Sequence, residues 1–197
     1  MLKIGITGGI GSGKTTVCTV FELLGIPVYY ADQVAKDIMI ADQELISALK
    51  SEFGQETYFE DGSLNRKYLS NLVFNNNIKL EKLNALVHPA VFRHFDNWVA
   101  AQSSMTPYIV KEAALLFESG SFKMCDYNML VIAPQEVRIE RVMARDQVDR
   151  AAVMARIEKQ LSDDEKREKA DHVIYNDEDH SIIKQVIGLH EKFLSHI

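Results

Sequence analysis

Gly8-Gly9-Ile10-Gly11-Ser12-Gly13-Lys14-Thr15 reads G-x-x-x-x-G-K-[ST], and its flanks give the pattern its meaning. The apolar stretch Leu2 to Thr7 runs straight into it, and an amphipathic segment, Thr15 to Leu24, leaves it. In that segment Val17, Val20, Phe21 and Leu24 fall at i, i+3, i+4 and i+7, and Gly25 follows as a stop signal. Strand, glycine loop and helix in this order predict a phosphate cradle. Backbone N–H groups of the glycine turn converge on an anion, and the helix N-terminus adds its partial positive charge. Lys14 is placed to reach the β- and γ-phosphates of a nucleoside triphosphate, and the Thr15 hydroxyl to ligate Mg²⁺.

Size and composition bound what is done with that phosphate. A chain of 197 residues accommodates one α/β domain with an insertion, and 47% hydrophobic with 25% charged residues is ordinary for a globular protein. The net charge of −6 argues against a nucleic-acid partner. Cys18 and Cys125 have no CxxC spacing, so neither a disulfide framework nor a zinc site is expected. No leader pattern precedes the first strand, and no apolar run approaches the roughly 20 residues that span a bilayer. The expectation is a cytoplasmic protein with no membrane partner. No pattern sets the oligomeric state, and a monomer is favoured.

Four further apolar runs read as strands of the same sheet: Ile26 to Ala31, Tyr108 to Val110, Tyr127 to Ala133 and His172 to Tyr175. Helical patterns separate them, which predicts an α/β fold with a parallel five-stranded sheet covered on both faces. The spacing is uneven. Residues 1–34 and 106–197 read as the nucleotide-binding core, and 35–105 as a helical insertion. There Asp42 is a candidate N-cap for a helix carrying Leu45, Ile46 and Leu49 that stops at Gly54, and Asp61-Gly62 marks a turn. Leu80, Leu83 and Val87 form an apolar stripe that His88-Pro89 is expected to break. Pro89 would then open a new helix bearing Val91, Phe92, Phe95, Trp98 and Val99. Inserted helices on such a core either cover an acceptor substrate or merely elaborate the structure.

The chain has no Asn-Lys-x-Asp guanine motif and no second nucleotide motif, which points to a small-molecule kinase. Such an enzyme must orient an acceptor hydroxyl. Asp32 stands where the second strand ends, and ligands of open α/β sheets bind outside those carboxyl ends. A free aspartate, with a pKa near 4, cannot strip an alcohol in the ground state. In a loose transition state the proton leaves late, and an oriented carboxylate suffices. The alternative for Asp32 is an N-cap of the following helix, Gln33 to Ile40. Arg138, Arg141 and Arg145 recur at i, i+3 and i+7, with Arg150 and Arg156 beyond, in a segment, about 138–160, that reads as a lid. Guanidinium forks suit phosphate oxygens, although Glu140 and Asp146 offer the alternative of ion pairs on a solvated face. Ser162 to Ala170 reads as a charged, solvated helix, and His190 as a residue at the core's edge.

Along nearly its whole length the chain resembles the dephospho-CoA kinases. Gly5-Ile6-Thr7-Gly8-Gly9-Ile10-Gly11-Ser12-Gly13-Lys14-Thr15-Thr16 is similar to that family's P-loop, and Ala31-Asp32 to the end of its Asp-Ala-Asp signature. Phe53-Gly54, Asp61-Gly62-Ser63-Leu64-Asn65-Arg66 and His88-Pro89 resemble its insertion markers. Leu115-Leu116-Phe117-Glu118 resembles its Pro-Leu-Leu-Phe-Glu segment, and Gln160, Ala170-Asp171 and Asn176 its tail. The resemblance implies a P-loop kinase fold and ATP-dependent phosphorylation of the ribose 3′-hydroxyl of dephospho-CoA, with ATP and dephospho-CoA as partners and Mg²⁺ as cofactor. It implies catalytic roles for Asp32, Lys14 and Arg141, and ATP contacts from Gly9, Ile10, Gly11, Ser12, Gly13, Lys14, Thr15, Thr16, Arg141, Arg145 and Asn176. Asp32, Arg66, His88 and Leu115 would hold the acceptor. Thr15 would hold the metal, joined by Glu112 unless that carboxylate serves a structural ion pair. Tyr30, Ala114 and Arg138 depart from the family pattern, replacing an aspartate, a proline and a common glutamine. A nucleoside, nucleotide or shikimate-type kinase is the nearest alternative enzyme, and an ATP-binding regulator without a small acceptor is the alternative from another class.

Overall fold

The computed structural model describes residues 1–74 and 76–196. Two compact units emerge, Met1–Tyr30 with Gln102–Ile197, and Ala31–Ala101. Each limit falls a few residues before the position expected from the spacing of the apolar runs. Among the described residues the chain order is β1 (Leu2–Thr7), α1 (Lys14–Leu23), β2 (Val28–Tyr30), α2 (Ala31–Ala41), α3 (Gln43–Phe53), α4 (Arg66–Val73) and α5 (Asn77–Ala100). There follow β3 (Tyr108–Glu112), β4 (Tyr127–Ile132), α6 (Gln135–Asp146), α7 (Arg150–Ile157), α8 (Asp163–Arg167), β5 (His172–Tyr175) and α9 (Ile182–Leu194).

In the first unit the strands pair in the order β2-β3-β1-β4-β5, every pair parallel. Ile6 lies opposite Glu112, Tyr30 opposite Glu112, Thr7 opposite Leu130, and Ile132 opposite Tyr175, so all five carboxyl ends open along one edge. β1 is central, and the chain lays β2 and β3 on one side of it and β4 and β5 on the other. The loop after β1 therefore sits where the strand order reverses, the usual ligand position in such sheets. Ile4, Ile6, Tyr108, Val110, Met129, Val131 and Ile174 meet Val17, Cys18 and Phe21 of α1 and Val186 and Phe193 of α9 in one core. Each fully buried large apolar side chain there contributes about 1.5–3 kcal/mol. At the opposite end of the sheet the Tyr108 hydroxyl and His190 Nδ1 are 2.5 Å apart, so His190 braces the core's edge.

Two strand limits differ from the expected ones. Only Val28–Tyr30 of the run Ile26 to Ala31 is strand. Pro27 accepts from the Val110 N–H (3.0 Å) but has no N–H to return, which limits pairing at that end of an edge strand. β3 extends to Glu112 and buries both Lys111 and Glu112, whose charges masked the end of the strand.

The second unit is helical. Asp42 caps α3, its Oδ1 accepting from Glu44 N (3.0 Å) and Leu45 N (3.1 Å), and Gly54 ends it. Leu45, Leu49, Phe53, Leu69, Val87, Val91 and Phe95 are buried. The expected break at His88-Pro89 does not occur: α5 is one 24-residue helix with Pro89 inside it. Val87, Val91 and Phe95 repeat every fourth residue on one buried face across the proline, and that burial outweighs the lost Pro89 N–H···Ala85 hydrogen bond. Asp32 is the second residue of α2, inside its first turn. It is therefore not the N-cap of a helix beginning at Gln33. No described helix is long and apolar enough to cross a membrane.

Candidate active site

The loop from Gly8 to Gly13 joins the central strand to α1, whose first turn carries no acidic residue to offset its positive end. Gly13 adopts φ 91°, and a side chain there would collide with the amide of Asn176. That amide donates from Nδ2 to the Ser12 carbonyl at 2.7 Å, while the Asn176 N–H bonds Ile132 O at 2.7 Å. The residue after β5 thus fastens the cradle to the sheet edge. Lys14 is 9% exposed, and its Nζ donates to Gly8 O (3.0 Å) and more weakly to Gly9 O (3.5 Å). Thr15 and Thr16 lie exposed in the first turn of α1. The Ile10 N–H donates to Gln160 Oε1 at 2.9 Å, and its side chain packs on Ile139, Val142 and Val153. Gln160 Nε2 reaches Ala114 O at 3.4 Å, a carbonyl that also accepts from Thr7 Oγ1.

The arginine stripe of α6 does not act as one face. Arg138 is only 5% exposed, packs its guanidinium on Gly9 and pairs through Nη1 with Asp163 Oδ1 at 3.2 Å. One turn on, Arg141 is exposed, with Nη1 3.9 Å from where a Cβ on Gly13 would stand. Arg145 grips its neighbour Asp146 through Nε (2.7 Å), and Arg156 Nη1 binds the same carboxylate at 2.6 Å. Arg145 first and Arg156 second hold the Asp146 carboxyl down to about 2. Arg150 forms a two-pronged pair with Glu136 at 2.7 and 2.8 Å. The structure therefore brings Arg141 to the cradle and engages Arg145 in an ion pair with Asp146, which a phosphate can replace.

At the sheet edge Glu112 is 7% exposed. Burial, with the negative charge of Glu112 adding to it, pushes the Cys18 thiol upward; the Tyr30 phenol rises chiefly through burial as well. Thr15 and Glu112 carry oxygen atoms of the hard type that Mg²⁺ prefers. Among the described residues there is no cluster of three or more His, Cys, Asp or Glu to hold a metal. A divalent ion fitted to this donor set would take most of its ligands from phosphates and water.

Leu115, in the segment after β3, is 41% exposed. Glu118 anchors this segment, accepting from Leu161 N at 3.0 Å and pairing with Lys166 Nζ at 3.3 Å. Lys166 is fully buried, which corrects the expectation that Ser162 to Ala170 is only a solvated helix. Asp163 and Lys166, one turn apart, face inward, and because both are charged the apolar periodicity is silent about them. The legible signal there was the Ser162–Glu165 capping box.

The remaining expected residues lie in the second unit. Asp32 is exposed in the first turn of α2, and Arg66 is the exposed first residue of α4. His88 is half-buried in α5 and stacks on Phe92 (6.2 Å between centroids, 26° between planes); burial lowers its pKa and favours the neutral imidazole.

The family model for dephospho-CoA kinase matches residues 2–181. The chain belongs to the dephospho-CoA kinase family. The dephospho-CoA kinase of Salinibacter ruber is 46% identical over 179 residues, covering 90% of this chain and 89% of that protein. That of Bacteroides fragilis is 38% identical over 188 residues, 95% of this chain and 91% of its own. A crystal structure from Thermus thermophilus is 33% identical with a TM-score of 0.82, covering 100% of this chain and 97% of that one. The Campylobacter jejuni dephospho-CoA kinase, 23% identical, superposes with a TM-score of 0.71 over 98% of both chains, a likeness of fold.

Proposed function

We propose that this chain transfers the γ-phosphoryl group of ATP to the ribose 3′-hydroxyl of dephospho-CoA, giving coenzyme A and ADP in the last step of coenzyme A synthesis. The observation that carries this reading is the family match over residues 2–181, laid on a strand–loop–helix cradle with Lys14 and Arg141 beside it. The 3′-oxygen attacks the γ-phosphorus, the bond from that phosphorus to the β,γ-bridging oxygen breaks, and ADP departs with the electron pair. Asp32 orients the hydroxyl and takes its proton late in the transfer. The loop N–H groups and α1's N-terminus hold the β-phosphate, while Lys14 leaves its carbonyl partners for the β,γ-bridge, where charge accumulates. Arg141 caps the γ-phosphate, and Arg145 joins it by exchanging Asp146 for phosphate. Thr15 and Glu112 would hold Mg²⁺, which when bound neutralises the phosphate oxygens. Asn176 and Gln160 keep the cradle in shape. Arg66, His88 and Leu115 are the proposed acceptor contacts.

A coupled ADP-release assay with dephospho-CoA, AMP, adenosine and shikimate tests the reading. Dephospho-CoA should accelerate ADP release well above the other three. A faster rate with any of the others would overturn the choice of acceptor, and acceptor-independent release would favour an ATP-binding regulator.

A further inference from the structure

Arg138 and Asp163 stand 25 residues apart, one on α6 and one opening α8, and their ion pair closes the base of everything between. That enclosed stretch holds Arg141, Arg145, α7 and Gln160. The guanidinium of Arg138 abuts Gly9 with its Nη1 tip, so close that a Cβ on Gly9 would overlap that atom. The same hypothetical Cβ would stand 3.5 Å from Asp163 Oδ1, so both members of the pair press on one loop residue. The next contact is made by backbone: the Arg138 carbonyl would meet a Cβ on Gly11 at 2.5 Å. Arg138 Nε is buried without a hydrogen-bond partner among the described residues, and Asp163 pairs with the guanidinium through Nη1. Asp163 is fixed in turn at the head of α8 by the Ser162–Glu165 capping box.

We infer that Arg138 is a positioning residue for the phosphate cradle: held by Asp163, it fixes the Gly9–Gly11 arch from outside and joins the base of the arginine-bearing segment to that arch. The inference rests on the reading of Gly8 to Thr15 as a nucleotide site. A guanidinium fits this role because its rigid fork sets Nη1 against the loop and on the Asp163 carboxylate in one fixed geometry, which a freely rotating ammonium does not. The ion pair touches the loop at Gly9 while the Arg138 backbone abuts Gly11, so the pair's effect should appear in nucleotide affinity and leave the acceptor's KM unmoved.

The test is a double-mutant cycle read by titration with a fluorescent ADP analogue and by KM for both substrates. Arg138→Met removes the charge and the fork but keeps an apolar stem, so it should fold even if Asp163→Ala, which strands a buried cation, does not. Arg138→Met should weaken nucleotide binding roughly ten- to a hundredfold, as expected when a preorganised cradle is allowed to shift, with KM for dephospho-CoA within about twofold of wild type. Asp163→Ala, if folded, should weaken binding similarly, and the double variant should bind within about twofold of Arg138→Met, because the two residues act as one unit. A merely structural role would lower the melting temperature and the binding stoichiometry while leaving the folded fraction's affinity intact. Unchanged affinity in Arg138→Met, or a double variant weaker than Arg138→Met by the full factor that Asp163→Ala costs alone, would overturn the inference. Absence of saturable nucleotide binding in the wild-type chain would overturn it together with the reading of the site.

Discussion

Lys14 and Asp32 are the two residues proposed to carry the chemistry, and their surroundings differ. Lys14 donates hydrogen bonds to neutral main-chain carbonyls of its own loop, which the charged oxygens of a triphosphate can outbid. Asp32 sits one residue inside α2, where its charge favours the helix's positive end without serving as the N-cap. Asp32→Asn keeps the shape and removes the proton acceptor. It should lower kcat by about 10²–10⁴-fold, the usual worth of a general base, while the lost helix-end charge costs no more than about 1 kcal/mol of stability. Steady-state kinetics alongside thermal melting check this; a normal kcat with a clearly lowered Tm would return Asp32 to a structural role. Lys14, Thr15 and Asn176 were legible because a motif or a family pattern marks them. Arg138 was legible only as one of three spaced arginines. Which guanidinium is swallowed depends on Gly9 and Asp163, neither of which is near it in sequence.

Local pattern predicted most elements, and the exceptions have physical causes. Asp42 and Gly54 delimit α3 as read, because a cap and a glycine at positive φ act locally. Pro89 misled because its local cost is real, yet it is met by an apolar face that continues from Val87 through Val91 to Phe95. That balance gives a prediction. Pro89→Ala restores the N–H opposite Ala85 and replaces the worst helix former with the best, a difference of up to about 3 kcal/mol in a helix interior. Thermal unfolding should show Tm raised by the order of 5 °C or more for a chain of this size. An unchanged or lowered Tm would mean that α5 needs the proline's shape. α8 shows the opposite failure: its inward residues are charged, so a polar sequence conceals a buried Lys166 held by Glu118.

For the molecule as a whole, the five parallel strands followed from the alternation of apolar runs with helical patterns, but their order did not. Nothing in β1 names β3 and β4 as its neighbours; that pairing joins residues about a hundred positions apart and emerges only when the layers close. Its consequence is functional. With β1 central, one sheet edge gathers the glycine loop, Glu112 and Asn176, and the arginine helix packs against that loop. The central claim is that this edge passes a phosphoryl group from ATP to a particular ribose hydroxyl. Phosphorus NMR of the chain with ATP, Mg²⁺ and dephospho-CoA tests it most directly. A new phosphomonoester resonance, coupled to the proton on ribose C3′, should grow one for one with ADP. Inorganic phosphate rising with ADP in its place, or a monoester on C2′, would contradict it.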